Sequence, residues 1–310
     1  MQAIRSGLLG RRSQLSSQLE LLVTASDQAI ARDDRLAFHD TGRSLEQILV
    51  EPIAKQAANA DTLIFVSDPT FGNLPFGALL GPKHSLVEDH AVIVAPSISA
   101  YLHASHSTAV TSRALLSVGD SSPGERSEPL AALAAAKSEA EEIAAMYPSH
   151  ALLVEGDATK ARVVGALPYC DAAHFAVHAN AGLGDTMPPH LILSRTSDNE
   201  GILTAPEIAA LNLDGVRTVV LAGCSTAISS ARSRTDSLVN AFLAAGVGSV
   251  IGTLWNVEDA PTRTMSIAFH RELHKGSTPA QALRTTQLEM IRRDAAPKVW
   301  ASLQLYGSGK

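Results

Sequence analysis

The 310-residue chain is 45% hydrophobic and 18% charged, a globular balance that excludes a disordered or low-complexity polymer. Its formal net charge of −6 argues against a dedicated nucleic-acid surface, and two cysteines, Cys170 and Cys224, are too few for a disulfide-stapled secreted domain. The N-terminus has no long apolar core and no run of 18 apolar residues occurs anywhere, so neither a signal peptide nor a membrane-spanning helix is expected, and the expected location is cytoplasmic.

Leu15, Leu19, Leu22 and Val23 recur at helical spacing, which predicts a helix from about Gln14 to Ala31. Ser44 is read as the N-cap of a second helix to about Ala58, kinked or broken at Pro52. Thr62–Val66 reads as a strand, Ser67-Asp68-Pro69 as a turn and Asn73-Leu74-Pro75-Phe76 as a loop with apolar anchors. Ala91–Ala95 is a second strand, with a short helix opening at Pro96-Ser97. The polar segment His103–Arg113 reads as a linker between two lobes.

Beyond it, strands and helices alternate. Strands are expected at Ala114–Val118, Ala151–Val154, Ala172–Val177, Leu191–Leu193, Val216–Ala222, Ser249–Leu254 and Trp300–Tyr306. Helices are expected at Leu130–Met146, Thr159–Leu167, Thr204–Leu211, Asp236–Ala245, Glu258–Leu273 and Pro279–Arg292, with Ser121–Glu128 an exposed loop. The alternation implies an α/β fold whose mostly parallel sheet is covered by helices on both faces.

In such sheets, ligands bind at the carboxyl ends of the strands. His178 and Cys224 both fall just past such an end, separated by roughly the 50 residues that part the histidine and cysteine of caspases. A thiolate is a nucleophile, and an imidazole beside it lowers the thiol's pKa and can protonate a leaving amine. Cys224 also fits a buried structural thiol, since free cysteine is among the most buried residue types. Gly223 leaves room for a substrate backbone, and the Cys224 amide is a candidate oxyanion donor. His174 reads as a histidine held inside the sheet, on the same face as His178 by strand alternation. Cys170 reads as buried.

Several stretches together resemble one family. DAAHFAVHANAG is similar to the His-Phe-Ala-x-His-Gly motif of the CHAT domain, and VVLAGCSTA to its Cys-x-Thr motif. DTLIFVSDPTFGNLPFGALL, HAVIVAPSIS, AFLAAGVGSVIGTLWNVEDAPT and KVWASLQLYG resemble the same family's remaining strands and loops, in order and over nearly the whole chain. CHAT domains are caspase-like cysteine peptidase modules related to caspases, separases and gingipains. The resemblance implies a caspase-like, mostly parallel sheet flanked by helices, with an N-terminal α/β lobe over 1–110 and a catalytic lobe over 111–310.

It also implies that His178 and Cys224 are the catalytic pair and that the amides of Ala179 and Cys224 hold the oxyanion. Two positions depart from the family: Ala179 stands where glycine usually follows the histidine, and Ala227-Ile228 where glycine often continues the cysteine motif. LWNVEDA resembles the separase segment whose acidic residue receives a substrate arginine, which makes Asp259 and Trp255 candidates for a substrate pocket. Glu258 and Asp259 also suit the positive end of the following helix. The loop SSARSRTDS, Ser229–Ser237, offers serines and the protease-sensitive Arg232 and Arg234, and reads as solvated and flexible. His270 and His274 are one turn apart, but Arg271 stands where a zinc protease carries glutamate, so both read as surface histidines. Gly246-Val247-Gly248-Ser249 follows a helix and is no dinucleotide motif.

The implied function is a cysteine endopeptidase acting on a protein or peptide, without cofactor or metal, regulated by a partner protein or repeat module, with no nucleic acid expected directly and no membrane segment. The alternative is a non-catalytic interaction module of the same fold, and an acyl or thioester enzyme ranks last.

Overall fold

The computed structural model describes residues 2–66, 71, 74–81, 84–105, 114–120, 130–182, 187–228 and 237–310, without the side chains of 2–14 and 16. The expected turn at 67–69, most of the linker, the loop 121–128 and nearly all of the Ser229–Ser237 loop lie outside the described residues.

Helices α1 (Gln2–Ala31), α2 (Arg35–Leu49) and the short α3 (Ala54–Ala57) precede β1 (Thr62–Val66). The second helix starts ahead of Ser44, because the Asp34 side chain accepts from the Ala37 amide and caps it there. Pro52 falls in a separate 3₁₀ turn, Glu51–Ile53, and so marks a break. Helix α4 (Leu86–Asp89) leads into β2 (Ala91–Ala95), followed by α5 (Ile98–Ser105).

Next come β3 (Ala114–Gly119), α6 (Ala136–Ala144), β4 (Ser149–Val154), α7 (Lys160–Ala166) and β5 (Ala172–Ala176). Residues 130–135 of the expected helix are not helical. Two three-residue strands unforeseen in the sequence, β6 (His178–Asn180) and β8 (Ile202–Thr204), flank β7 (His190–Ile192) in a small antiparallel sheet. Helix α8 (Ala205–Ala209) carries a Thr204/Glu207 capping box. The chain closes with β9 (Thr218–Leu221), α9 (Leu238–Ala244), β10 (Ser249–Thr253), α10 (Asp259–His274), α11 (Pro279–Arg292), α12 (Pro297–Trp300) and β11 (Leu303–Gly307). The last strand starts later than expected because Trp300 belongs to α12.

The main sheet has the order β1-β2-β11-β10-β9-β5-β3-β4. Every neighbouring pair is parallel except β10 with β11, so two parallel blocks run in opposite directions. The strands of the first 110 residues thus join the same sheet as the rest, through β2 and β11. Strands β5, β9, β10 and β11 are buried along their whole length, as expected for a sheet covered on both faces. Val219 and Leu221 of β9 pack with Phe175 and Phe242, whereas Val220 packs on the opposite face with Ile251, Met265 and Phe269. That alternation puts α9 on one face and α10 and α11 on the other.

Candidate functional site

Strands β5 and β9 are parallel neighbours in a register that pairs Phe175 with Leu221. His178 and Cys224 each lie three residues beyond that pair, so the register alone brings them out at the same end of the sheet. The Ala222 amide donates to Phe175 O at 2.9 Å and fixes where the two chains part. The strand alternation expected to align His174 with His178 ends here: after Ala176 the chain leaves the main sheet for β6, so His174 is fully buried while His178 stays partly open.

The turn carrying Cys224 is tightly determined. Thr226 and Thr253 exchange hydrogen bonds, with the Thr226 amide 3.1 Å from Thr253 Oγ1 and the Thr253 amide 2.9 Å from Thr226 Oγ1. Thr253 Oγ1 also donates to Gly223 O at 2.5 Å. These bonds give the threonine of the Cys-x-Thr motif a physical role. Ser225 takes a φ of 54°, unusual for a residue with a Cβ, and is held by Trp255 O and Asn256 Oδ1. Gly223 must be glycine: a Cβ there would lie 2.6 Å from Val177 O.

His178, Cys224, Glu139 and Asp259 line one small cavity, together with Gly223 and Val257. His178 Nε2 is 2.7 Å from Ala131 O. A carbonyl only accepts, so the proton of the neutral imidazole sits on Nε2 and the Nδ1 lone pair is left for another proton. The Cys224 sulfur is half-buried, with Val257 O at 3.9 Å. Among the described residues no hydrogen bond joins His178 to Cys224, and the Cys224 amide donates to no acceptor. Ala179 lies in β6 with no positive φ, so its Cβ meets no backbone demand for glycine.

Asp259 and Trp255 line different cavities. Asp259 opens α10, and its Oδ2 accepts from the Ala135 amide at 2.7 Å, so the same carboxylate serves the starts of α10 and α6. Trp255 walls a cavity of about 550 Å³ that also takes in Asp27 and Ile30 of α1, Ser225, Glu258 and Lys298; Val257 borders both spaces. Trp255 Nε1 donates to Lys298 O at 2.9 Å. Lys298 lies between Asp33, at 3.3 Å, and Glu258, at 3.6 Å. Partial burial against the cavity wall pushes the Asp27 carboxyl up to about 6, although the residue as a whole is exposed.

His270 corrects the sequence reading: it is fully buried, held by Tyr147 and His174, while His274 is exposed as expected. Burial pushes the Cys170 thiol up to about 12. No group of three or more metal-ligating side chains is assembled among the described residues, and none of their helices is long and apolar enough to cross a membrane. Two contributors escaped the sequence reading. The Ala131 carbonyl has no sequence signal. Glu139 does have one, since it shares the i, i+3, i+4, i+7 stripe of Ala136, Ala140 and Ile143.

The family model of the CHAT domain matches residues 39–308. Human tetratricopeptide repeat protein 28 is 30% identical over 195 residues, which covers 50% of this chain and 8% of that protein; the mouse protein gives the same figures. The chain therefore spans a small part of these relatives. A complex of Porphyromonas gingivalis RgpB pro- and mature domains superposes with a TM-score of 0.59 at 10% identity, over 96% of this chain and 77% of that one. The Saccharomyces cerevisiae separase–securin complex superposes with a TM-score of 0.56 at 14% identity, over 80% of this chain and 16% of that one. The Arg-specific cysteine proteinase gingipain R gives 0.53 at 11% identity, over 75% and 57%. These likenesses show a fold shared with caspase-like cysteine proteases.

Proposed function

Because this chain belongs to the CHAT domain family, we propose that it is a cysteine endopeptidase in which Cys224 is the nucleophile and His178 the general acid and base. The observation that carries this reading is the shared cavity, in which the Ala131 carbonyl keeps the His178 proton on Nε2 and leaves Nδ1 to take the proton of the thiol. The thiolate then adds to the scissile carbonyl, and the amides of Cys224 and Ala179 receive the negative oxygen. Collapse breaks the carbon–nitrogen bond as the imidazolium passes its proton to the leaving amine. Water, deprotonated by His178, hydrolyses the resulting thioester and restores the thiol. None of these steps calls for a metal or cofactor.

The 550 Å³ cavity walled by Trp255 receives a substrate side chain; with Lys298 of its lining paired to Glu258 and Asp33, the carboxylate of Asp27 is the charge left to favour a cationic one. Asp259 borders the catalytic cavity beside it. One neighbour of the fold is an Arg-specific proteinase, which agrees with this choice. The division into an N-terminal lobe over 1–110 and a catalytic lobe over 111–310 is kept as a functional one, with α1 of the first lobe lining the cavity of the second. A regulatory protein or repeat module is the expected partner, in keeping with a tetratricopeptide repeat relative and a separase–securin neighbour. Two free cysteines suit a reducing compartment such as the cytoplasm.

The test is incubation of the purified chain with a peptide library spanning basic and non-basic residues, read by mass spectrometry. Cleavage after basic residues that vanishes in Cys224→Ala and His178→Ala is the expected result. No cleavage, with Cys224 no more reactive than a free thiol, favours a non-catalytic interaction module.

A further inference from the structure

The buried face of α6 consists of Ala136, Glu139, Ala140, Ile143 and Ala144, and Glu139 is its one charged residue. Glu139 is 2% exposed and borders the cavity of His178 and Cys224. Its Oε1 lies 3.1 Å from Nε2 of His174, itself fully buried. The contact is bent, so that neither atom has an aligned hydrogen-bond partner. His174 Nδ1 is 3.3 Å from His270 Nε2, and His270 Nδ1 is 2.9 Å from the Tyr147 hydroxyl. Four polar side chains thus form one line through the interior, from Tyr147 at the edge of α6 to the catalytic cavity. Burying such a line is costly compared with an apolar filling, and an unaligned buried carboxylate oxygen calls for a reason.

The line has a sense. Burial, and to a lesser degree His174, holds His270 well below the ordinary imidazole range, so it is neutral and carries one N–H. Burial also raises the Tyr147 phenol, which keeps its proton. If Tyr147 donates to His270 Nδ1, then His270 Nε2–H donates to His174 Nδ1, and the single proton of His174 sits on Nε2 facing Glu139. In the reverse sense His174 carries its proton on Nδ1, and Nε2 faces Glu139 either as a bare lone pair against a protonated carboxyl or as the second N–H of an imidazolium; either way the pair loses its net negative charge. The Tyr147 hydroxyl and the net charge beside the cavity are therefore linked across the core.

We propose that Glu139 is a positioning residue of the Cys224 and His178 centre: its carboxylate, fixed in the shared cavity by the Tyr147–His270–His174 line, sets the pH range over which Cys224 reacts. This rests on the reading of Cys224 and His178 as the reacting pair. A negative charge in a small, largely protein-walled cavity opposes a second anion on sulfur and favours a cationic imidazole. The other charged or titratable groups on the elements around α6 are committed or lie at the far end of the line, where buried Asp171 adds to the raising of the Tyr147 phenol. Asp259 takes the Ala135 amide, Arg263 pairs with Glu142, Asp120 accepts from Ser194, and His150 contacts Tyr147 O.

The test is the rate of Cys224 alkylation by iodoacetamide as a function of pH, localised by mass spectrometry; Cys170, its thiol held up at about 12, stays unlabelled. In Glu139→Gln, nearly the same shape, the pH of half-maximal reactivity falls by about one unit. In Tyr147→Phe, which frees the sense of the line, it falls in the same direction by less. Profiles that match the wild type in both variants overturn the proposal, whatever the melting temperatures do. A shift in Glu139→Gln with none in Tyr147→Phe overturns the role of the line. Should Glu139→Gln fail to fold, an unmoved Tyr147→Phe profile alone overturns it. No substrate enters the assay, so a shifted profile without peptide cleavage upholds Glu139 while the endopeptidase reading fails.

Discussion

Replacing Gly223 by alanine strikes the point where the strand ends that carry His178 and Cys224 touch. The added Cβ would lie 2.6 Å from Val177 O and 3.2 Å from the Ala179 Cβ. Ordinary contact begins near 3.4 Å, so the Val177 carbonyl must withdraw by roughly 0.8 Å. Neither side is free to give: the Ala222 amide is bound to Phe175 O, and Gly223 O is bound to Thr253 Oγ1. Overpacking of this kind costs about 1–3 kcal/mol. At roughly 2–4 °C per kcal/mol for a chain of this order of size, the melting temperature falls by about 2–12 °C. The same withdrawal separates Cys224 from the Ala179 amide, and a misplacement near 1 Å lowers activity on the order of a hundredfold. Differential scanning calorimetry and peptide turnover read the two effects. A variant that melts within about 1 °C of the wild type and turns over peptide at an unchanged rate refutes this packing argument.

Asp259→Ala removes the acceptor of the Ala135 amide and costs about 1 kcal/mol, read by denaturant titration; an unchanged midpoint excludes its capping role. Asp27 gives a pH dependence of known sign. Its carboxyl titrates near 6 when folded against 3.8 ordinarily, so the folded chain binds the proton more tightly and stability declines as pH rises through that window. Asp27→Asn flattens the melting temperature between those two values, and identical slopes in both proteins contradict the burial that raises the group.

Much of the scaffold was legible because its signals are local. Thr62–Val66, Ala91–Ala95 and Pro279–Arg292 begin and end where apolar runs, Pro279 and the Thr278/Gln281 capping box place them. The common exit point of His178 and Cys224 followed from both being strand ends in a parallel sheet. What escaped depends on distant partners. Ser44 and Asp34 are equally good caps in sequence, and the Asp34 bond to the Ala37 amide decides between them. The strands β6 and β8 are three residues each, too short for a period to show, and exist by pairing with β7. His270 looked like a surface residue because its partners, His174 and Tyr147, are 96 and 123 residues away. Glu139 sits in a charged stretch, Lys137 to Glu142, that resembles a solvated face, and the one signal of its burial, its place on the apolar stripe of α6, went unread.

The most direct measurement is the pH profile of Cys224 alkylation in the wild type and in His178→Ala. With His178 as the proton acceptor of the thiol, the wild-type cysteine reacts well below the roughly 8.5 of an ordinary thiol, and His178→Ala returns it to that range. Superimposable profiles in the two proteins would contradict a reacting pair.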